Sequence, residues 1–269
     1  NVLLDRVSRE FKNPDIIWEN GELPHSDFMF LKQECNKYSE FDKLNKRKEM
    51  FDKNEVNIFK RCKYGQIYAI LNKEQINDFP LQLWGRILRM FYEGKPFKIY
   101  FLAHSSLRTF PINEIKPENI NGGYTYKCNP ETIMIYRAED ATRVLIHEIQ
   151  HALCLDKHHN LDLLEAETEA WAELLYIGIL SCGKKSTFNE MLNKQSEWIV
   201  KQNEKVKTHM KNTMDFPWRY TVGKEDVWRR WNILKHFESG LKVNSLRLTF
   251  PPTNLLKQRF QVSNNSSIL

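Results

Sequence analysis

The sequence predicts an α+β fold in which a small mixed sheet carries two long helices, and three observations predict it. Short runs rich in Ile, Tyr, Phe and Thr, at Phe97 to Ala103, Tyr124 to Cys128 and Thr132 to Tyr136, have strand character. Directly after them, apolar residues recur at helical spacing from Asp140 to about Cys154, and again from Leu161 to about Cys182. The composition permits a buried core: 269 residues with 41% hydrophobic and 12% aromatic content describe a globular chain, not a disordered one.

In chain order, residues 1–80 read as a helix-rich N-terminal extension with helical pieces near Ser26 to Phe51 and Asn54 to Leu71. Its basic stretch, Lys43-Leu44-Asn45-Lys46-Arg47-Lys48, is either a solvated helix face or a docking surface for an acidic partner. Residues 81–182 hold the chemistry. Leu83-Trp84, Ile87-Leu88 and Phe91-Tyr92 repeat at helical spacing as far as Gly94, and Pro96 then forbids continuation. Asn121-Gly122-Gly123 is a turn signal ahead of the strand at Tyr124. Residues 183–269 form a C-terminal helical subdomain and tail. Gly183 turns the chain, Thr187 and Glu190 suit a capping box, and Phe188, Met191, Leu192, Trp198 and Ile199 give the next helix its inner side. A proline break falls within Asp215 to Arg219, and a further helix spans Glu225 to Ser239 with Gly240 as its stop. Pro251-Pro252 and the Asn/Ser-rich stretch Ser263 to Ser267 read as an extended tail.

A net charge of +6 leans toward acidic partners. Lys and Arg nonetheless alternate with Asp and Glu instead of forming a stripe, so specific nucleic-acid binding is not expected. No run approaches the roughly 18 apolar residues of a membrane span. Five cysteines, Cys35, Cys62, Cys128, Cys154 and Cys182, are odd in number and lack any C-x-x-C spacing. That pattern argues against a disulfide framework and for a reducing intracellular compartment. The chain opens on Asn1 and not on methionine, as a processed piece would.

The stretch His147-Glu148-Ile149-Gln150-His151 carries the most specific chemistry. Residues four apart on a helix leave one face, so both imidazoles can bind a single cation. Two neutral imidazoles and a carboxylate suit Zn2+, and Glu148, flanking that face, can take a proton from water there. Leu145, Ile149 and Leu153 form an apolar stripe on another side, along which the helix can pack while its histidines face a cleft.

A third ligand must come from elsewhere. In the continuation H-E-x-x-H-x-x-G-x-x-H, Cys154 occupies the glycine position and Lys157 the last histidine position, so that pattern fails. His158 and His159 fall one and two residues out of place. The helix from Leu161 offers Glu165, Glu167, Glu169 and Glu173. Three of them, Glu165, Glu169 and Glu173, share one face, and a turn near Asp156 to Asn160 can bring either of the first two to the cation.

At this point the sequence resembles the gluzincins, zinc peptidases whose third ligand is a glutamate on the helix after the motif. The segment Thr168-Glu169-Ala170-Trp171-Ala172-Glu173 is similar to their thermolysin-type N-E-A-x-x-D. The resemblance implies Glu169 as the third ligand and Glu173 as the acid that holds a ligand histidine in the right tautomer. The order of helix, strands, motif helix and ligand helix also resembles the zincin amino-terminal subdomain. A substrate-binding edge strand is thereby implied, for which Thr132 to Tyr136 is the choice, the other reading being an ordinary buried strand.

The activity so implied is that of a zinc metallopeptidase acting on peptide or protein, with Glu148 as general base. An oxyanion donor should follow the third ligand; Tyr176, His209, Tyr220 and His236 qualify, with His236 and Tyr220 preferred. Three other classes stay open: a structural zinc site, a metal hydrolase acting on a non-peptide amide, and an assembly protein using its basic extension.

Overall fold

The computed structural model describes residues 2–156, 159–211, 216–234 and 237–251. Helix α1 (Val2–Lys12), strand β1 (Glu19–Asn20) and helices α2 (His25–Asn36) and α3 (Lys46–Lys53) lead into a hairpin of β2 (Val56–Cys62) and β3 (Gly65–Leu71). Helix α4 (Leu81–Phe91), β4 (Phe97–Leu102), α5 (Pro117–Ile120), β5 (Gly123–Tyr124) and β6 (Ile133–Ile135) follow. Five further helices complete the order: α6 (Ala141–Ala152), α7 (Leu161–Leu180), α8 (Lys185–Val206), α9 (Phe216–Tyr220) and α10 (Val222–Arg230). The strands make one mixed sheet in the order β1-β2-β3-β4-β6-β5. Its centre, β3, β4 and β6, is parallel, and the outer strands run antiparallel to their neighbours. A mixed α+β architecture is thus what the chain adopts.

Side chains alternate along the central strands with a period of two, and each set finds its own core. Ile67, Ala69, Phe97, Ile99, Phe101, Ile133 and Ile135 face α4 and α6, where Trp84, Leu88, Leu145 and Ile149 meet them. Tyr68, Ile70, Tyr100, Leu102, Met134 and Tyr136 face the other way, onto Leu31 and Cys35 of α2 and Met50 of α3. With both faces covered, these strands read in sequence as nearly continuous apolar runs. A third core joins α7 to α8 and α10 through Ala166, Ala170, Ile177, Trp198 and Trp228.

Several sequence expectations are corrected by this arrangement. Asn54 to Leu71 is not helical but forms the β2–β3 hairpin, in register from Val56↔Leu71 to Cys62↔Gly65. Its β-branched and aromatic residues fit a pleated surface, and sheet packing overrides the local helical reading. No break separates the first 80 residues from the sheet, because β3 pairs in parallel with β4 from Gly65↔Phe97 to Ile70↔Leu102. The strand of Thr132 to Tyr136 lies between β4 and β5, so the edge is β5. Thr187 sits inside α8, whose N-cap is Lys184, and the capping box therefore does not start that helix. Helix α10 stops well short of Gly240, since Asn232 adopts a left-handed backbone with φ 60°.

Residues 237–251 hold no regular element, yet Val243, Leu246, Leu248 and Phe250 are buried. This strap is fixed by Trp198 Nε1 donating to the Arg247 carbonyl and by Leu248 N donating to Asp140 Oδ2, each at 3.0 Å. Residues of the expected tail beyond Pro251 lie outside the described residues. Against the expectation of unbridged cysteines, Cys128 and Cys154 form a disulfide with their Cα atoms 4.9 Å apart. Both take left-handed turns, with φ 62° and 56°, and these turn the loop after β5 and the end of α6 toward each other. No helix among the described residues is long and apolar enough to cross a membrane.

Candidate metal centre

Helix α6 is buried along its whole length, with Leu145 and Ile149 in the sheet core and His147 and His151 toward α7. Residues 153–160 join α6 to α7, and Asn160 caps α7 by accepting from Leu163 N at 3.1 Å. The two helices are therefore antiparallel neighbours, and each turn back along α6 meets one turn forward along α7. His151 meets Glu165; His147 meets Glu165 and Glu169; Arg143 meets Glu169 and Glu173.

Three donors converge at the first of these levels. His147 Nε2 and His151 Nε2 are 2.8 Å apart, and Glu165 reaches them with Oε2 at 3.3 Å and Oε1 at 3.4 Å. All lie within 4.8 Å of one another. Around a tetrahedral zinc, ligand bonds of about 2.0–2.1 Å place donor atoms about 3.3 Å apart. The two nitrogen-to-carboxylate distances already match, and the imidazoles need to part by only about 0.5 Å. The donor set of two histidines and one carboxylate fits zinc with a coordination position to spare.

Glu169, the ligand implied by the resemblance, occupies a different place. Its Oε1 lies 3.1 Å from His147 Nδ1, on the far side of the ring from Nε2. The same carboxylate is held by Arg143, Oε1 accepting from Nη1 at 2.8 Å and Oε2 from Nη2. Glu173 touches no histidine; it accepts from Arg143 Nε at 3.3 Å, Lys224 Nζ at 3.1 Å and Thr249 Oγ1 at 2.6 Å. Glu169, one turn before Glu173, is thus the acid beside the His147 Nδ1, and Glu165 is the acid beside both Nε2 atoms. Asp156 Oδ2 is hydrogen-bonded to His151 Nδ1 at 3.1 Å, whereas Glu169 stands beside His147 Nδ1 at the same distance without hydrogen-bond alignment. Carboxylates beside both Nδ1 atoms leave the Nε2 lone pairs for a metal. Sequence reasoning missed Asp156, although its position five residues after His151, inside the turn, was available as a signal.

The acids of the site favour positive charge on His147 and His151. Burial disfavours charge on His147, yet Glu169 and Glu165 outweigh it and lift the imidazole to about 10. Burial likewise works against ionised Glu165 and Glu169, and the histidines, with Arg143 beside Glu169, hold both well below the usual carboxylate range. Glu148 differs. Burial dominates there and pushes it up to about 6 even though His147 and His151 pull it down. A carboxylate with little solvation and a raised proton affinity suits a general base.

These groups open on a cavity of about 250 Å³ that runs between β5 and α9. Gly123 of β5 lies directly over α6: a Cβ there would stand 2.6 Å from Val144 Cγ1 and 3.4 Å from Glu148 Oε1. Only glycine lets the edge come so near the base. From α9, Tyr220 sends its hydroxyl to Glu165 Oε2 at 3.3 Å, and its ring centre is 6.2 Å from that of His147. Of the other oxyanion choices, His209 stacks on Phe110 with ring centres 5.2 Å apart and Tyr176 borders a separate cavity. His236 lies outside the described residues, as does His158, while His159 is exposed.

The geometry separates the two glutamates experimentally. Glu165→Gln is expected to weaken zinc binding by more than about 100-fold, and Glu169→Gln, which removes only an orienting contact, by about 10–100-fold. Competition against a fluorescent chelator, on variants checked for native circular dichroism, ranks them; the reverse order would return the ligand role to Glu169. No family model matches the chain, and neither a curated protein nor a solved structure matches it.

Proposed function

We propose that the chain is a zinc-dependent metallopeptidase of gluzincin type. The observation that carries this reading is the convergence of two imidazole Nε2 atoms and the Glu165 carboxylate beside a buried glutamate, inside a cavity bordered by a sheet edge. Held by His147, His151 and Glu165, zinc would supply Lewis-acid polarisation of a peptide carbonyl and of water. Glu148 takes the proton from the attacking water and passes it to the departing amine. Tyr220 turns its hydroxyl from Glu165 to the carbonyl oxygen as negative charge gathers on it. The β5 edge, in place of Thr132 to Tyr136, holds the extended substrate through main-chain hydrogen bonds. Glu169 and Asp156 keep the two imidazoles in the tautomer that binds metal.

A mixture of unstructured peptides, analysed for new termini by mass spectrometry, tests the proposal. Cleavage is expected with the zinc-loaded protein, to stop after treatment with a chelator, and to return on adding zinc. Zinc below stoichiometry after purification without chelator, or cleavage indifferent to chelator, would overturn it.

A further inference from the structure

Three arginines border the cavity, and their donors are committed to different degrees. Arg143 spends its guanidinium on Glu169 and Glu173. Arg219 donates from Nε to Asp162. Arg108 is wholly buried; its Nε donates to the Ile120 carbonyl and its Nη1 to the Glu139 carbonyl, each at 2.6 Å. Glu139 Oε1 lies 3.4 Å from the same Nη1. Nη2 has no partner among the described residues. A buried charged donor left unpaired is costly, and its retention in the wall of a cavity calls for an acceptor that arrives with a ligand. Gly122, just before β5, makes room for the guanidinium itself, since a Cβ there would collide with Nη2.

The position of Arg108 along the cleft follows from topology. Helix α5 leads through Asn121 into β5 and touches both the 3-10 turn Glu40–Asp42 and α9. From that turn, Phe41 meets Phe216 of α9 with ring centres 5.3 Å apart, and Phe216 meets Tyr220 at 4.9 Å. The end of the cavity where β5 begins is therefore walled. A peptide pairing antiparallel with β5, the more stable ladder, points its carboxyl-terminal side at this wall. Few residues can follow the bond that is cut, and Gly122 and Arg108 both line this end of the cavity.

Resting on the peptidase reading, we infer that the residue after the scissile bond presents a carboxylate to Arg108 Nη2. The guanidinium favours a planar, charged acceptor over an amide of the same shape. That carboxylate has two sources: an Asp or Glu side chain, or the terminal carboxylate of the substrate. The second source would make the protein a carboxypeptidase.

Two sets of quenched fluorescent peptides distinguish them. In the first, Asp, Asn, Glu, Gln or Leu follows the cleaved bond in an amidated peptide; in the second, Leu is the last residue, as free acid or amide. At least a tenfold higher kcat/KM is expected for the carboxylate form in one set, and the set that shows it names the source. Arg108→Gln should bring that preference to within about twofold, and Arg108→Gln/Glu139→Gln provides the same comparison without stranding Glu139. A second readout needs no turnover: zinc-free Glu148→Gln protein, titrated calorimetrically with the preferred peptide and its amide counterpart, should bind the acid about tenfold tighter. Cleavage without preference, or a preference that survives both Arg108 variants, overturns this inference and leaves the peptidase reading intact. If no peptide is cleaved, the peptidase reading fails; the Asp and Asn peptides then replace the pair in the calorimetry, and equal binding overturns the docking of a carboxylate as well.

Discussion

Glu148→Gln is expected to bind zinc as the native chain does while losing about 10²–10⁴-fold in kcat. The two side chains have the same shape, so packing beneath Gly123 is preserved, and the three proposed ligands are untouched. What disappears is the acceptor for a proton. Burial has raised the affinity of Glu148 for that proton to a pKa of about 6, which lets it both take the proton and release it near neutrality. Metal analysis and initial rates on one preparation read both halves of the expectation. Hydrolysis within tenfold of the native rate would remove Glu148 from the reaction, and loss of zinc together with activity would make it a ligand.

Arg143→Met should destabilise the fold by about 3–5 kcal/mol. Arg143, Glu173 and Lys224 are each 0% exposed and Glu169 is 2% exposed, so two positive and two negative groups share a dry space between α6, α7 and α10. The charges balance and their geometry is tight: Arg143 joins both acids, and Lys224 Nζ also donates to the Leu248 carbonyl at 3.1 Å. Taking away Arg143 leaves Glu173 facing Lys224 and Glu169 facing only His147, and the desolvation already incurred is less well offset. Urea denaturation measures the loss. The double variant Arg143→Met/Glu169→Gln should recover part of it, because the removed charges are then equal and opposite. A loss below about 1 kcal/mol would mean that these groups behave as a solvated surface pair does.

The site was legible in the sequence down to its faces and not to its levels. His147, Glu148 and His151 follow from spacing alone, and a second glutamate-bearing helix was evident. The frame E-A-x-x-E, however, occurs twice in succession, at Glu165-Ala166-Glu167-Thr168-Glu169 and at Glu169-Ala170-Trp171-Ala172-Glu173. Resemblance selects the later copy. The structure brings Glu165 of the earlier one to both histidines, because the first turns of α7 lie beside His151. Arg143, one turn before His147, then claims Glu169 and Glu173. An arginine one turn before His147, on a helix buried along its length, was the available sign of that pairing.

The fold was less evenly legible. β4 and β6 show as apolar runs, whereas Asn54 to Leu71 has residues that satisfy either period, and only pairing with β4 decides for strand. The edge strand β5 is two residues long and begins at the second of two glycines, so its sequence reads as a turn. Its importance comes from position over Val144 and Glu148, which no local pattern records. Of the oxyanion choices among the described residues, Tyr220 is the one whose ring lies beside His147, on a short helix that begins beside a proline.

The strap of residues 237–251 sets an order on how the centre comes into being. Thr249 Oγ1 and the Leu248 carbonyl complete the shells of Glu173 and Lys224, and Leu248 N closes on Asp140 at the head of α6. On the ribosome, both histidines emerge about a hundred residues before the groups that shut water away from the acids behind them, a delay of several seconds at about 5–20 residues per second. A nascent chain therefore presents the two histidines well before it can complete the surroundings of Glu173 and Lys224, which waits for residues 248 and 249.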